Sequence, residues 1–147
     1  MKKLLFLTLL LCLFILTSCT RYGKVTYITT QFTTSEVNKS VHIIESKDML
    51  LEYASKEGSE SWNKVIEKYN DNYFSKKALA LVLVSKSSSS YNIKLKNLKI
   101  KDGCMNITIK RKAKSNILTM DMAETHIIIE LSKEVALSIT DYNVVVK

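Results

Sequence analysis

The chain has 147 residues, 22 Lys+Arg against 14 Asp+Glu for a formal net charge of +8, and a hydrophobic content of 46%. That size suits one domain, and the apolar content excludes a chain that is disordered throughout. Three cysteines are too few for a disulfide-built scaffold.

Lys2 and Lys3 precede Leu4 to Leu16, a stretch in which Thr8 alone is not apolar. A charged start followed by an apolar run of about 7–15 residues has the form of an export signal, and it is shorter than the roughly 17–25 residues that span a bilayer. Leu16-Thr17-Ser18-Cys19 follows and resembles the lipobox of bacterial lipoproteins. The resemblance implies cleavage between Ser18 and Cys19, a diacylglycerol on the Cys19 sulfur, and an acyl chain on its new amino terminus. The expected organisation is a signal over 1–18, a tether over 19–24 and a single domain over 25–147. Residues 1–18 carry two lysines and no acid, so the mature chain keeps a net charge of +6. For an exported protein such a balance points to anionic lipid or wall polymers, or simply to a solubilising surface, and not to nucleic acid.

Val25 to Phe32 is β-branched and aromatic and predicts a first strand, with a polar loop from Thr33 to Ser40. Val41 to Ile44 is a short apolar run. Ser46 is placed to cap a helix containing Met49, Leu50, Tyr53 and Ala54, and Gly58 is placed to stop it. Ser59 or Ser61 can cap a second helix whose Trp62, Val65, Ile66 and Tyr69 share one face at i, i+3, i+4 and i+7. Asn70-Asp71-Asn72 ends that helix.

Ala78 to Val84 is continuously apolar, the pattern of a central strand buried on both faces. Ser87 to Ser90 reads as a loop. Tyr91, Ile93 and Leu95 then alternate with polar residues, and the phase shifts to Leu98 and Ile100, which predicts a β-bulge near Lys96-Asn97. Asp102-Gly103 predicts a type I′ hairpin turn into Met105, Ile107 and Ile109. Lys112 to Asn116 is polar, Asp121 to Leu131 returns to β character, Val135, Leu137 and Ile139 alternate as a further strand, and Tyr142, Val144 and Val146 form the last. The fold class expected is α+β, a mainly antiparallel, β-sandwich-like sheet preceded by a short helical section.

Residues 69–133 carry a further resemblance. Tyr69-Asn70-Asp71-Asn72-Tyr73-Phe74, the apolar strand Ala78 to Val84, the small-residue turn Ser88-Ser89-Ser90-Tyr91, the Asp102-Gly103 hairpin and Thr125 to Leu131 together resemble the C-terminal domain family named after PrcB, an accessory lipoprotein of a surface protease complex. Ser88 and Ser89 stand where that family carries glycines, and its late proline is absent, since the chain has no proline. The resemblance implies a domain that assists an exported protease.

Catalytic candidates are few. His42 and His126 are the only histidines, and no nucleophile elbow, phosphate loop or paired-histidine zinc motif occurs. Cys104 is the one thiol left after export and acylation; with His126 it would form a nucleophile and base, but no orienting third residue is evident. No enzyme, metal site or dissociable cofactor is therefore expected. Lys94, Lys96, Lys99, Lys101, Lys110, Arg111, Lys112 and Lys114 gather on the predicted hairpin and its exit, either as a contact face or as a solvated surface. The function expected is a membrane-tethered accessory or protein-binding module in the bacterial cell envelope, held by its lipid and docked on an exported partner. The alternative is a stand-alone protease inhibitor or ligand-binding lipoprotein that uses loops 87–90, with Ser88, Ser89, Ser90 and Tyr91, and 112–120.

Overall fold

The computed structural model describes residues 22–31, 39–58, 60–114, 119 and 121–147. The signal, Cys19 and parts of the expected loops at 33–40 and 112–120 lie outside them. Among the described residues, seven strands form two sheets. The first sheet contains β1 (Val25–Gln31), β2 (Lys39–Ile44), β3 (Lys77–Lys86) and β6 (Ala123–Ser132), in the order β1-β6-β3-β2. The second contains β4 (Tyr91–Lys101), β5 (Cys104–Ala113) and β7 (Asp141–Val146), in the order β4-β5-β7. Short helices α1 (Lys47–Glu57), α2 (Asn63–Lys68), α3 (Asp71–Phe74) and α4 (Lys133–Leu137) complete the α+β architecture, with a 3-10 turn at Glu60–Trp62.

Local signals account for most of these boundaries. Ser46 accepts a hydrogen bond from the Met49 amide, and Gly58 closes α1 in the left-handed conformation at φ 60°. Asn70 does end α2, but it does so by capping the single turn of α3 through a bond from the Tyr73 amide. The second helix is entered from the 3-10 turn, with Trp62 as its N-cap and no side-chain bond there. At the hairpin Asp102 and Gly103 take φ 52° and 77°, both left-handed, as a type I′ turn requires. A Cβ on Gly103 would also lie 2.7 Å from Thr140 Oγ1 and 3.2 Å from the Ser138 carbonyl oxygen. The register shifts between Leu95 and Asn97, so the expected bulge falls on Lys96.

The core lies in two layers, one on each side of the first sheet. Ala78, Ala80, Val82, Ile127 and Ile129 share a cluster with Ile93, Leu98, Met105, Ile107 and Ile109 of the second sheet. Leu79, Leu81 and Ile128 point the other way, into a cluster with Leu50, Trp62, Val65, Tyr69 and Phe74. The alternation of strand side chains produces this split. It also explains why β3 and β6 are buried at nearly every position: both of their faces are covered. Each such isoleucine or leucine contributes roughly 1.5–3 kcal/mol by leaving water.

One expected strand is corrected, and the mainly antiparallel pairing is borne out. Val135, Leu137 and Ile139 do not form a strand; Ser132 caps α4 by accepting a bond from the Val135 amide, and Leu137 is exposed. Pairing is antiparallel except between β5 and β7, which run parallel. The chain reaches that parallel register because β6, in the other sheet, and α4 supply the long return between them.

The beginning of β1 is tied down earlier than the expected tether at 19–24 allows. The Gly23 amide donates to the Glu130 carbonyl at 2.7 Å, and the Glu130 amide donates to Lys24 at 3.1 Å. A Cβ at position 23 would lie 2.9 Å from Glu130 Cβ, so this close approach suits glycine. The Glu130 carboxylate accepts from Lys68 at 2.9 Å and from the buried Tyr69 hydroxyl at 3.0 Å, with Lys77 at 3.8 Å. Burial raises its affinity for protons, but the two hydrogen bonds and the two lysine charges outweigh burial and hold the carboxyl below 4.5. This depressed value gives stability above pH 4.5 that is lost as pH falls through the folded-state value. Glu130→Gln should therefore be less stable at pH 7 by roughly 1.5–3 kcal/mol, the worth of a hydrogen bond to a charged group, and should lose less on acidification. Urea unfolding at pH 7 and pH 3 checks this; parallel losses in the two proteins would contradict it.

Candidate functional site

Three groups of residues carry chemistry beyond packing. The first is the outer face of the second sheet. Met105, Ile107 and Ile109 are buried, so their neighbours Lys110 and Lys112 face outward, and the register places Lys110 opposite Lys94 and Lys112 opposite Asn92. Beyond the bulge, Lys99 and Lys101 face the same way, opposite Asn106 and Cys104. Asn92, Lys94, Lys110 and Lys112 line a shallow depression of about 190 Å³. Like charges directly opposite on neighbouring strands cost a few tenths to about 1 kcal/mol. Among the described residues only Lys101 of this set has an acidic neighbour, Asp102 at 3.9 Å. Three members of the expected set are placed differently, Lys114 being drawn to the Ser89 carbonyl. Lys96 is the bulged residue, and Arg111, paired with Ile93, lays its guanidinium 4.8 Å from the Tyr91 ring centre.

The second group is the pair of loops. The hydroxyls of Ser88, Ser89 and Ser90 all lie within hydrogen-bond reach of Thr119 Oγ1, at 2.9, 3.3 and 3.0 Å. Lys114 donates through its amide to the Ser90 carbonyl and through Nζ to that of Ser89. The turn needs no left-handed residue, which is how serines serve where glycine is the expected choice. Ser88 is buried and therefore unavailable as a contact, a correction to the expected binding loop; Ser89, Ser90 and Tyr91 are half-exposed. Hydrogen bonds from Ser89 and Thr119 hold the Asp121 carboxyl below its usual value. Beneath the loops, Lys86 is buried and donates to the Tyr91 carbonyl at 3.0 Å. Burial, and then the charge of Lys114, push its ammonium below the ordinary lysine value.

The third group surrounds the histidines. His42 is exposed on β2, 3.1 Å from Ser40 Oγ, and its ring meets Tyr53 at 5.2 Å. His126 is fully buried on the helical side of β6. Its Nδ1 lies 3.1 Å from the Tyr53 hydroxyl, and its Nε2 lies 3.4 Å from Glu57 Oε2 and 3.5 Å from Thr30 Oγ1. Trp62 stands edge-on to the imidazole at 5.1 Å. Glu57, Glu124 and His126 can each turn a ligand atom to within 4.8 Å of the others, and Ser85 Oγ donates to Glu124 at 3.2 Å. Burial brings the His126 pKa down to about 4, so the ring is neutral near pH 7. Burial and the charge of Glu124 raise Glu57, while burial and both glutamates raise Tyr53.

The thiol–imidazole pair considered from the sequence is not assembled. Cys104, half-exposed, opens β5 in the second sheet, while His126 faces the helices across the first. Sequence reading pointed to His126 but missed Glu57, Glu124 and Tyr53, which are ordinary exposed-helix and strand letters with no motif spacing. Among the described residues no helix is long and apolar enough to cross a membrane. No family model, curated protein or solved structure matches the chain.

Proposed function

We propose that the chain is an exported lipoprotein, anchored in the cell envelope through Cys19, whose domain is a non-catalytic module that docks on an acidic surface of an exported partner protein. The observation carrying the docking role is the outer face of β4 and β5, where Lys94, Lys99, Lys110 and Lys112 have no acidic partner among the described residues. A face that spends stability on juxtaposed like charges recovers it against a partner of opposite sign, and such complementarity raises association rates. Two sheets sharing one core, in a sandwich-like arrangement, would hold that face rigid. An exported protease as the partner rests on the resemblance over residues 69–133.

Affinity capture from detergent-solubilised envelopes tests this reading, using the lipidated protein and the triple variant Lys94→Glu, Lys110→Glu, Lys112→Glu. The expected result is an exported protein retained at low salt, released as salt is raised, and lost with the charge reversal. Equal retention by the triple variant would sink the docking role. Binding of the lipid-free domain to anionic vesicles, with no protein retained, would assign the face to lipid instead.

A further inference from the structure

We infer that Glu57, Glu124 and His126 bind one divalent transition-metal cation of the zinc class, at a site separate from the basic face. The donor set is one neutral imidazole nitrogen and two carboxylate oxygens, the ligand chemistry of such ions. The three ligand atoms lie within 4.8 Å of one another. Bonds of about 2.1 Å in a tetrahedral site separate ligands by about 3.4 Å, so closure needs only a modest turn of the two glutamates, neither of which is fully buried.

Three independent features aim this cluster at a cation. The first is the facing pair, His126 Nε2 and Glu57 Oε2 at 3.4 Å. In the tautomer that donates Nδ1–H to the Tyr53 hydroxyl, the Nε2 lone pair and the Glu57 carboxylate face one space, as two ligands of one cation would; the other tautomer donates Nε2–H to Glu57 and makes this contact a plain hydrogen bond. The second is charge. Glu57 ends α1, where the helix dipole is already negative, and it faces Glu124; among the described residues no lysine or arginine pairs with either. Lys56, the nearest base in sequence, is engaged with Glu52 at 2.7 Å on the exposed side. The third is an outer shell and an entry. Tyr53 orients the imidazole, Ser85 orients Glu124, and a groove of about 460 Å³ between β2 and α1 has Tyr53 and Glu57 in its wall. A cation there would tie the end of α1 to β6 and so join the helical layer to the sheet.

The test is titration of Zn²⁺ into chelator-stripped, untagged protein, followed by calorimetry and by thermal unfolding, with Co²⁺ as a spectroscopic probe. One equivalent should bind, raise the unfolding temperature, and with Co²⁺ give visible absorption. Glu57→Gln, a half-exposed site where folding is safe, should weaken binding by at least about 100-fold, and Tyr53→Phe by about 10-fold, as expected for ligands and their outer shell. His42→Asn should leave the stoichiometry unchanged. Absence of saturable binding, or affinity unchanged in both Glu57→Gln and Glu124→Gln, would leave a His126 Nε2–H hydrogen bond to Glu57 as the bridge and overturn the site. Loss of binding in His42→Asn would overturn this choice of ligands. Because none of these readouts involves the membrane or the basic face, failure here leaves the docking role standing, and the reverse also holds.

Discussion

Cys19→Ser is expected to abolish acyl labelling and, in high salt, to move the protein entirely from the membrane fraction to the soluble fraction. The serine hydroxyl cannot form the thioether that a lipobox cysteine forms, and without it the signal has no acceptor. At about 0.8 kcal/mol per buried methylene, two or three acyl chains hold a protein far more firmly than the marginal grip of one, so salt-resistant anchoring should be lost completely. The fold adds a geometric consequence. Gly23 is already bonded to Glu130, and four residue steps of at most about 3.6 Å place it within about 14 Å of Cys19. The domain of an acylated protein therefore rides against the headgroups, with Lys24, Lys68 and Lys77 around the start of β1. Each basic residue near an anionic surface adds about 1 kcal/mol, so Cys19→Ser protein can show weak, salt-sensitive membrane association. Metabolic labelling with a fatty-acid probe, together with fractionation in high salt, measures both effects; labelling that persisted, or salt-resistant membrane retention, would refute the anchor.

Trp62→Ala should cost about 3–5 kcal/mol, the usual loss when a buried tryptophan is truncated, against a total stability of roughly 5–15 kcal/mol for a domain. Trp62 is 1% exposed, sits where the 3-10 turn enters α2, and meets Tyr53 and His126 edge-on at 5.3 and 5.1 Å. With Leu50, Val65, Tyr69 and Phe74 it packs the helical layer onto the first sheet. Its Nε1 is buried and has no hydrogen-bond partner among the described residues. Trp62→Phe should therefore be much milder, within about 1.5 kcal/mol, because losing the orphaned donor offsets part of the lost volume. Urea midpoints of the three proteins decide the matter: an alanine variant as stable as the phenylalanine one would mean that the helical layer is held elsewhere.

Much of this was readable without coordinates because it depends on near neighbours in the chain. The phase shift from Leu95 to Leu98 located the bulge, Asp102-Gly103 the turn, and Trp62, Val65, Ile66 and Tyr69 the buried helical face. The run from Ala78 to Val84 announced a strand covered on both sides, and so it is. Val135, Leu137 and Ile139 misled because three apolar residues at spacing two fit a strand and a single capped turn alike, and the Ser132 cap was the signal passed over.

The lysines of the hairpin lay within one stretch of chain, so their common face could be drawn from alternation alone, apart from Lys96, Arg111 and Lys114. The serine loop could not be drawn that way, since its hydroxyls are gathered by Thr119, about 30 residues on. The histidine cluster was further out of reach: Tyr53 and Glu57 come from a helix, Glu124 and His126 from a strand about 70 residues later, and no local rule relates them.

By itself, then, the sequence determined the positions of most strands and helices, the hairpin with its bulge, and the basic outer face, because periodicity and turn chemistry act over a few residues. Only the tertiary structure decided that the strands divide into two sheets, that β7 lies parallel to β5, that Ser88 is hidden, and that two glutamates meet a buried histidine. Those outcomes follow from which apolar faces can be covered at once by distant segments, and no short stretch of chain contains that choice.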